Sequence, residues 1–194
     1  MIPQADHLLG LAEFLELPED NSRHYELQDG VLIARPHPEL AHQRAVSGLA
    51  LALNEQLPGA WSCLFCVEVV TKAEYPACVR VPDVVVYAED LVGADAPALT
   101  AQQVLVAVEV LSPGSVSTDT VLKPVEYARA GIPNYWVVDL AGAGSLTAYR
   151  LHEGAYRVAA RAEGLFETDY PFPLTVDLTA LHACHARMER KVDQ

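Results

Sequence analysis

Between residues 104 and 111 the chain reads Val-Leu-Val-Ala-Val-Glu-Val-Leu, an apolar run interrupted by one carboxylate, Glu109. A run of that composition is a strand buried on both faces, which commits the chain to a sheet covered on each side. An unpaired carboxylate there must take up a proton or find a cation. Upstream, Val79-Arg80-Val81-Pro82-Asp83-Val84-Val85-Val86-Tyr87 repeats the pattern: a Val-rich strand with one acid, directly after a proline. Two buried strands that each offer one inward acid are a way to build a divalent-metal site, so Asp83 and Glu109 are the candidate ligands.

A chain of 194 residues fits one domain, read here as 1–194, and can bury a sizeable core. Its hydrophobic fraction of 51% is a globular value, and no stretch approaches the roughly eighteen uninterrupted apolar residues of a membrane span. The first ten residues lack a basic segment followed by an apolar one, which argues against a signal peptide. Cys63, Cys66, Cys78 and Cys184 in a chain of this size read as reduced thiols, and the expected compartment is the cytoplasm. The formal charge is −13, with 13 Lys and Arg and no basic run. Nucleic-acid binders usually carry a basic face, because phosphate contacts dominate their affinity. A nucleic-acid substrate must therefore be argued from the site, and the expected binding is weak, metal-dependent and salt-sensitive.

Apolar residues at helical spacing predict a helix over Ala5–Leu17, stopped by Pro18. Tyr25–Leu27 and Val31–Ile33 flank Asp29-Gly30, a hairpin signal. Arg35-Pro36-His37-Pro38 is a rigid connector, and a longer helix is expected over Glu39–Leu57, ending at Pro58-Gly59. Strands are expected at Leu64–Thr71, Val81–Tyr87 and Val104–Leu111, the last two separated by a loop at Glu89–Pro97. Thr120–Ala130 reads as a helix stopped by Gly131 and Pro133. Strands follow at Asn134–Leu140, Thr147–Leu151 and Tyr156–Ala160, and the tail from Leu174 mixes a short strand with a final charged helix. The expected fold class is α/β, an α+β domain with a mixed sheet.

Beyond Glu109 the chain reads Leu111-Ser112-Pro113, then Asp119 and Lys123, then Tyr127-Ala128, Gly131 and Tyr135-Trp136. With Tyr25-Glu26-Leu27, Asp29-Gly30, His42 and Pro82-Asp83, this ordered set resembles the Uma-two family, a restriction-endonuclease branch of the PD-(D/E)XK nuclease superfamily. The likeness runs from the first helix to the final strand. It implies a restriction-endonuclease-like core, a central mixed sheet flanked by helices, with Asp83 and Glu109 holding Mg²⁺ (or Mn²⁺). It also implies a partition into an N-terminal helix and hairpin (1–38), a nuclease core (39–140) and C-terminal strands and helix (141–194). The superfamily lysine lies two places after the glutamate, where this chain has Leu111; the family pattern places it instead at Lys123. A second departure is Asn134, where members commonly carry Glu; it is expected outside the metal site.

Hydrolysis of a phosphodiester needs a hard cation to neutralise developing charge and acidify a water. Asp83 and Glu109 would supply its protein ligands, and Lys123 would orient or deprotonate the attacking water or stabilise the transition state. Pro124 bears on that role. Either Pro124 opens the helix, leaving Lys123 at the N-cap and off the face of Asp119, or the helix starts earlier and Pro124 sits in its first turn. Glu26 is an auxiliary acid or half of a cross-strand surface pair. His42 approaches the site or makes a capping contact, and Ser112 and Asp119 position phosphate or metal water or simply serve turn chemistry.

Cys63 and Cys66 would face opposite sides of a strand, and the cluster His182, Cys184, His185 lacks a second cysteine pair, so no structural zinc is expected. Tyr127, Tyr135 and Trp136 read as core. No phosphate-cradling loop or Gly-x-Ser-x-Gly elbow is present. The expected activity is a Mg²⁺-dependent endonuclease hydrolysing DNA, with no membrane partner expected and a homodimer as the expected assembly. Two rivals share the residues: a nuclease-fold interaction protein with little or no turnover, and a metal-dependent hydrolase of a small phosphorylated substrate.

Overall fold

Asp29 and Gly30 adopt left-handed backbone, φ 44° and 81°, the pair of positive angles a two-residue hairpin turn requires. They join β1 (His24–Gln28) to β2 (Val31–Arg35) in antiparallel register, with Glu26 opposite Ile33. The computed structural model describes residues 7–18, 23–35, 38–91 and 96–181. Helix α1 spans only Leu11–Leu15 and not Ala5–Leu17. Gly10 starts it, its N–H donated to Glu13 Oε2 at 2.8 Å, while Leu9 runs extended and donates to the Gly30 carbonyl. That strand-like contact withdraws Leu8 and Leu9 from any helix.

Helix α2 (Leu40–Asn54) buries Ala41, Ala45, Val46, Leu49, Ala50 and Leu53, the stripe that three- and four-residue spacing creates. Two expected strands are broken. Leu64–Thr71 is divided between β3 (Trp61–Phe65) and β4 (Val69–Lys72), because Cys66 turns the chain with φ 54°. Val79–Tyr87 is divided between β5 (Cys78–Arg80) and β6 (Val84–Ala88). Pro82 has no N–H for a ladder, so the chain leaves one sheet at Arg80 and enters another at Val84. Asp83 therefore stands at the mouth of β6 and not inside a strand.

The remaining strands are β7 (Leu99–Thr100), β8 (Val104–Val110), β9 (Asn134–Asp139), β10 (Ser145–His152), β11 (Ala155–Glu163), β12 (Leu165–Thr168) and β13 (Leu174–Asp177). Of these, β7 and β12 were not anticipated. Residues 178–181 are helical; the rest of the expected terminal helix, with His182, Cys184 and His185, lies outside the described residues, as do Pro36 and His37 of the connector.

Helix α3 (Lys123–Ala130) ends at Gly131, φ 83°. A wide π-type turn over Thr118–Leu122 precedes it without a break. In a regular helix the Pro124 ring would crowd the carbonyl four residues back and leave it without a donor, and a π turn at this point accommodates both defects. The second reading of Pro124 is the one observed: the helix begins earlier, and Lys123 lies within it.

Six strands form one sheet in the order β11-β10-β9-β8-β6-β3, and five form another, β2-β1-β5-β4-β7; β12 and β13 pair separately. Most pairs are antiparallel, but β8 and β9 run parallel, with Glu109 opposite Val137. Helix α3 makes the crossover between them, the connection a parallel pair requires. The strands alternate as a doubly covered sheet must. Val84, Val86, Val106, Val108, Val110, Trp136 and Val138 pack with α2, whereas Val85, Ala107, Tyr135 and Val137 share a second core with Tyr127 of α3. Each large side chain so buried contributes about 1.5–3 kcal/mol. Glu109, between Val108 and Val110, thereby points toward α3. No helix among the described residues is long and apolar enough to cross a membrane.

Candidate active site

Strand alternation carries Glu109 into the α3 side of the sheet, where it is 1% exposed. Its Oε1 accepts from Lys123 Nζ at 2.7 Å and from Tyr127 Oη at 2.9 Å. Both donors come from α3, one helical turn apart. Oε2 accepts no hydrogen bond from the described residues. Among them Asp119 Oδ1 alone is fully buried without a hydrogen-bond partner.

Asp83 approaches from the mouth of the neighbouring strand, β6. Its Oδ2 accepts from the Val110 N–H at 2.7 Å, and its Oδ1 faces His42 Nε2 at 3.1 Å. The carboxylate is thus fixed one residue along β8 from Glu109, with its side chain 20% exposed. His42 occupies the first turn of α2 and makes this contact, not a capping one. Burial works against a charged His42, but the Asp83 carboxylate, with Asp119 beyond it, outweighs that and raises the imidazole above its ordinary value.

Lys123 is fully buried and surrounded by carboxylates. Besides Glu109 it lies 3.2 Å from Asp119 Oδ1 and 3.6 Å from Glu26 Oε1. The Asp119 approach is an ion pair by distance without the alignment of a hydrogen bond, which is why Oδ1 remains unsatisfied. Asp119 and Lys123 do share a helical face, and the Tyr135 hydroxyl donates to the Asp119 carbonyl and pins the π turn. Burial disfavours the Lys123 ammonium, yet Glu109, Glu26 and Asp119 together hold it protonated. For Glu109 the balance runs the other way: burial pushes its carboxyl up to about 8, against the attraction of Lys123 and with help from the charges of Asp83 and Asp119.

Glu26 is no surface pair. It is 1% exposed, its Oε1 accepts from the Val81 N–H at 3.2 Å, and its Oε2 accepts from Arg80 at 2.9 Å. Burial would raise its carboxyl, but Lys123, Arg80 and Arg35 hold it below the ordinary value. Ser112 is not brought to this centre: its N–H and hydroxyl both donate to Ser115 Oγ at 3.1 Å, which is turn chemistry. Asn134 donates to the Leu105 carbonyl and stays outside. Cys63 is buried and Cys66 exposed just past the end of β3.

Sequence reasoning missed Arg80 and the Tyr127 hydroxyl. Arg80 stands in an apolar run as Glu109 does, and a buried charge demands a partner wherever it occurs; that signal was available.

Two neighbouring carboxylates, one with an oxygen that accepts no hydrogen bond from the described residues, suit a hard divalent cation that takes oxygen ligands. No cluster of three or more His, Cys, Asp or Glu side chains among the described residues is set to hold an ion. Water and substrate oxygens would have to complete an octahedral shell, which Mg²⁺ accepts.

A doubly covered mixed sheet with one acid in β8, one at the mouth of the neighbouring β6 and a helix-borne lysine is a nuclease fold of the restriction-endonuclease-like type. The profile of the Uma2 family, described as "Putative restriction endonuclease", matches residues 11–177, and the chain belongs to that family. Among solved structures, a "putative nuclease belonging to DUF820" from Anabaena variabilis ATCC 29413 superposes with a TM-score of 0.70 at 19% identity, covering 91% of this chain and 99% of that one. At that identity the likeness is one of fold. No curated protein matches the chain.

Proposed function

We propose that the protein is a divalent-metal-dependent endonuclease that hydrolyses DNA phosphodiesters, with Asp83 and Glu109 holding Mg²⁺ or Mn²⁺ and Lys123 acting beside them. The observation that carries this reading is the convergence of Lys123 Nζ on Glu109 Oε1 at 2.7 Å, with Asp83 anchored to the adjoining Val110 N–H. In this reading the lysine absent at Leu111 is supplied from α3 by Lys123. When bound, the cation would neutralise phosphate charge and acidify a water.

The protein's own groups divide the remaining work. Asp83, oriented by His42 and the Val110 N–H, presents its carboxylate at the open side. Glu109, steadied by Tyr127, offers Oε2 there. Lys123 stays protonated among three acids, so its part is to orient the nucleophile and stabilise developing negative charge, not to act as a base. His42, the partner of Asp83, holds that carboxylate in its orientation. The whole chain would act as one domain, and a homodimer would offer one such site to each strand of a duplex.

The net charge of −13 favours a second reading, hydrolysis of a small phosphodiester, because phosphate-rich duplexes are repelled by an acidic surface. Nicking of supercoiled plasmid in Mg²⁺ or Mn²⁺, set against hydrolysis of bis-p-nitrophenyl phosphate, separates the two. The expected result is nicking that Asp83→Asn and Glu109→Gln abolish. Hydrolysis of the small ester alone would favour the second reading, and neither activity would leave the fold as an interaction protein.

A further inference from the structure

Arg80 lies at the end of β5, fully buried, in a position that the proposed chemistry does not use. Its guanidinium makes three hydrogen bonds to two acids. Nε and Nη2 donate to the two oxygens of Glu126 at 2.6 and 2.7 Å, the planar two-point pairing peculiar to arginine, and Nη1 donates to Glu26 Oε2 at 2.9 Å. Glu26 turns its other oxygen to the Val81 N–H and to Lys123 Nζ. Glu126 and Lys123 are three residues apart on α3, on one face of the helix. The links therefore form a closed circuit: Lys123 to Glu26 on β1, Glu26 to Arg80 on β5, Arg80 to Glu126, and back along the α3 backbone to Lys123.

We infer that Arg80 is a positioning residue: by bridging Glu126 and Glu26 it closes a ring of ion pairs through β1, β5 and α3, and so fixes the Lys123 ammonium against Glu109. The inference rests on the nuclease reading for its catalytic consequence, and on geometry alone for its structural one. Alternating charge around the ring explains why it is built of ions and not of packed apolar groups. A buried pair can usually be replaced by apolar residues at little cost in stability, so its value here is in direction. The fork of Arg80 sets the plane of Glu26, and with it which oxygen faces Lys123. Glu126, whose side chain is 18% exposed, anchors the fork to the helix that carries the lysine. A lysine at position 80 would keep the charge and lose the plane.

The chain has only three lysines, Lys72, Lys123 and Lys191, which makes the Lys123 ammonium observable directly. In lysine-selective ¹⁵N-labelled protein, a slowly exchanging ammonium resonance that persists in Lys72→Arg and Lys191→Arg belongs to Lys123. Arg80→Gln and Glu126→Gln are each expected to shift it and to speed its proton exchange by about tenfold or more, the scale on which loss of a held geometry is felt. Leu146→Ala, a buried change in β10, serves as the control for lost stability and is expected to leave the resonance in place. In plasmid nicking, the two ring variants are expected to lose kcat by roughly tenfold to a hundredfold, with KM for DNA kept within about twofold. No slowly exchanging Lys123 signal in the wild type, a signal unmoved in either ring variant, or one moved equally by Leu146→Ala would overturn the inference. If the wild-type protein cleaves nothing, the nuclease reading fails, while the ammonium signal still decides whether Arg80 holds the lysine.

Discussion

Replacing Glu109 with glutamine is expected to stabilise the metal-free protein at alkaline pH while destroying its activity. The carboxyl is carried from its ordinary 4.5 to about 8, chiefly by burial, with the charges of Asp83 and Asp119 adding to it and that of Lys123 opposing. Between those two pH values the folded protein binds a proton that the unfolded chain has released, so stability falls as pH rises. At about 1.4 kcal/mol per pH unit the full loss is roughly 5 kcal/mol, complete above pH 8 and absent below 4.5. Glutamine keeps an oxygen for the Tyr127 hydroxyl and Lys123 and carries no charge to bury. Lys123 loses one of three counter-charges, which offsets part of the gain, leaving about 2–4 kcal/mol at pH 8.5, since a hydrogen bond to a charged group is worth about 1.5–3 kcal/mol. Urea denaturation in EDTA at pH 5, 6, 7, 8 and 9 measures this. The wild-type midpoint should fall across the series and that of Glu109→Gln should stay flatter, the curves crossing below pH 8. Parallel curves, or a variant weaker than wild type at every pH, would refute the reasoning, because Glu109 would then stabilise the fold and not tax it.

Lys123→Ala should abolish nicking while Mn²⁺ affinity by calorimetry stays intact, and should cost about 3–5 kcal/mol of stability by stranding buried carboxylates; unchanged nicking would remove Lys123 from the mechanism. Tyr127→Phe removes one donor from Glu109 and should lower stability by about 1–2 kcal/mol, read by denaturant midpoint at pH 9, where Glu109 is ionised; no change would mean the hydroxyl does not support that oxygen. His42 has a raised value in the folded state, so its contribution is fully present below its unfolded value near 6.5 and lost as pH rises through the folded one. His42→Ala should therefore destabilise more at pH 6 than at pH 9 in thermal melts, and equal losses would contradict the pairing with Asp83.

Glu109 was legible from local sequence because a single charge in a two-faced apolar strand has no innocent placement. The hairpin at Asp29-Gly30 and the stop at Gly131 were legible for a similar reason, since positive φ favours glycine and asparagine-like residues. The breaks at Cys66 and Pro82 were not, because each depends on which sheet receives the next strand, a decision made by residues far along the chain. Pro82 did mark the place, and its missing N–H could have been taken as the end of a ladder. The pairing of Arg80 with Glu26 and Glu126 was hidden for the same cause: Arg80 is 54 residues from one and 46 from the other. Spacing on a helix could place Lys123 and Glu126 on one face but could not say what stood opposite. The role of Lys123 beside Glu109 came through resemblance to a family pattern, and its approach to Glu26 came only with the fold.

The central claim, that Asp83 and Glu109 hold a divalent cation beside Lys123, is tested most directly by anomalous diffraction from crystals soaked in Mn²⁺. One strong peak is expected between the two carboxylates, in contact with an oxygen of each, with Lys123 still against Glu109. A peak elsewhere, or none at saturating Mn²⁺, would contradict it.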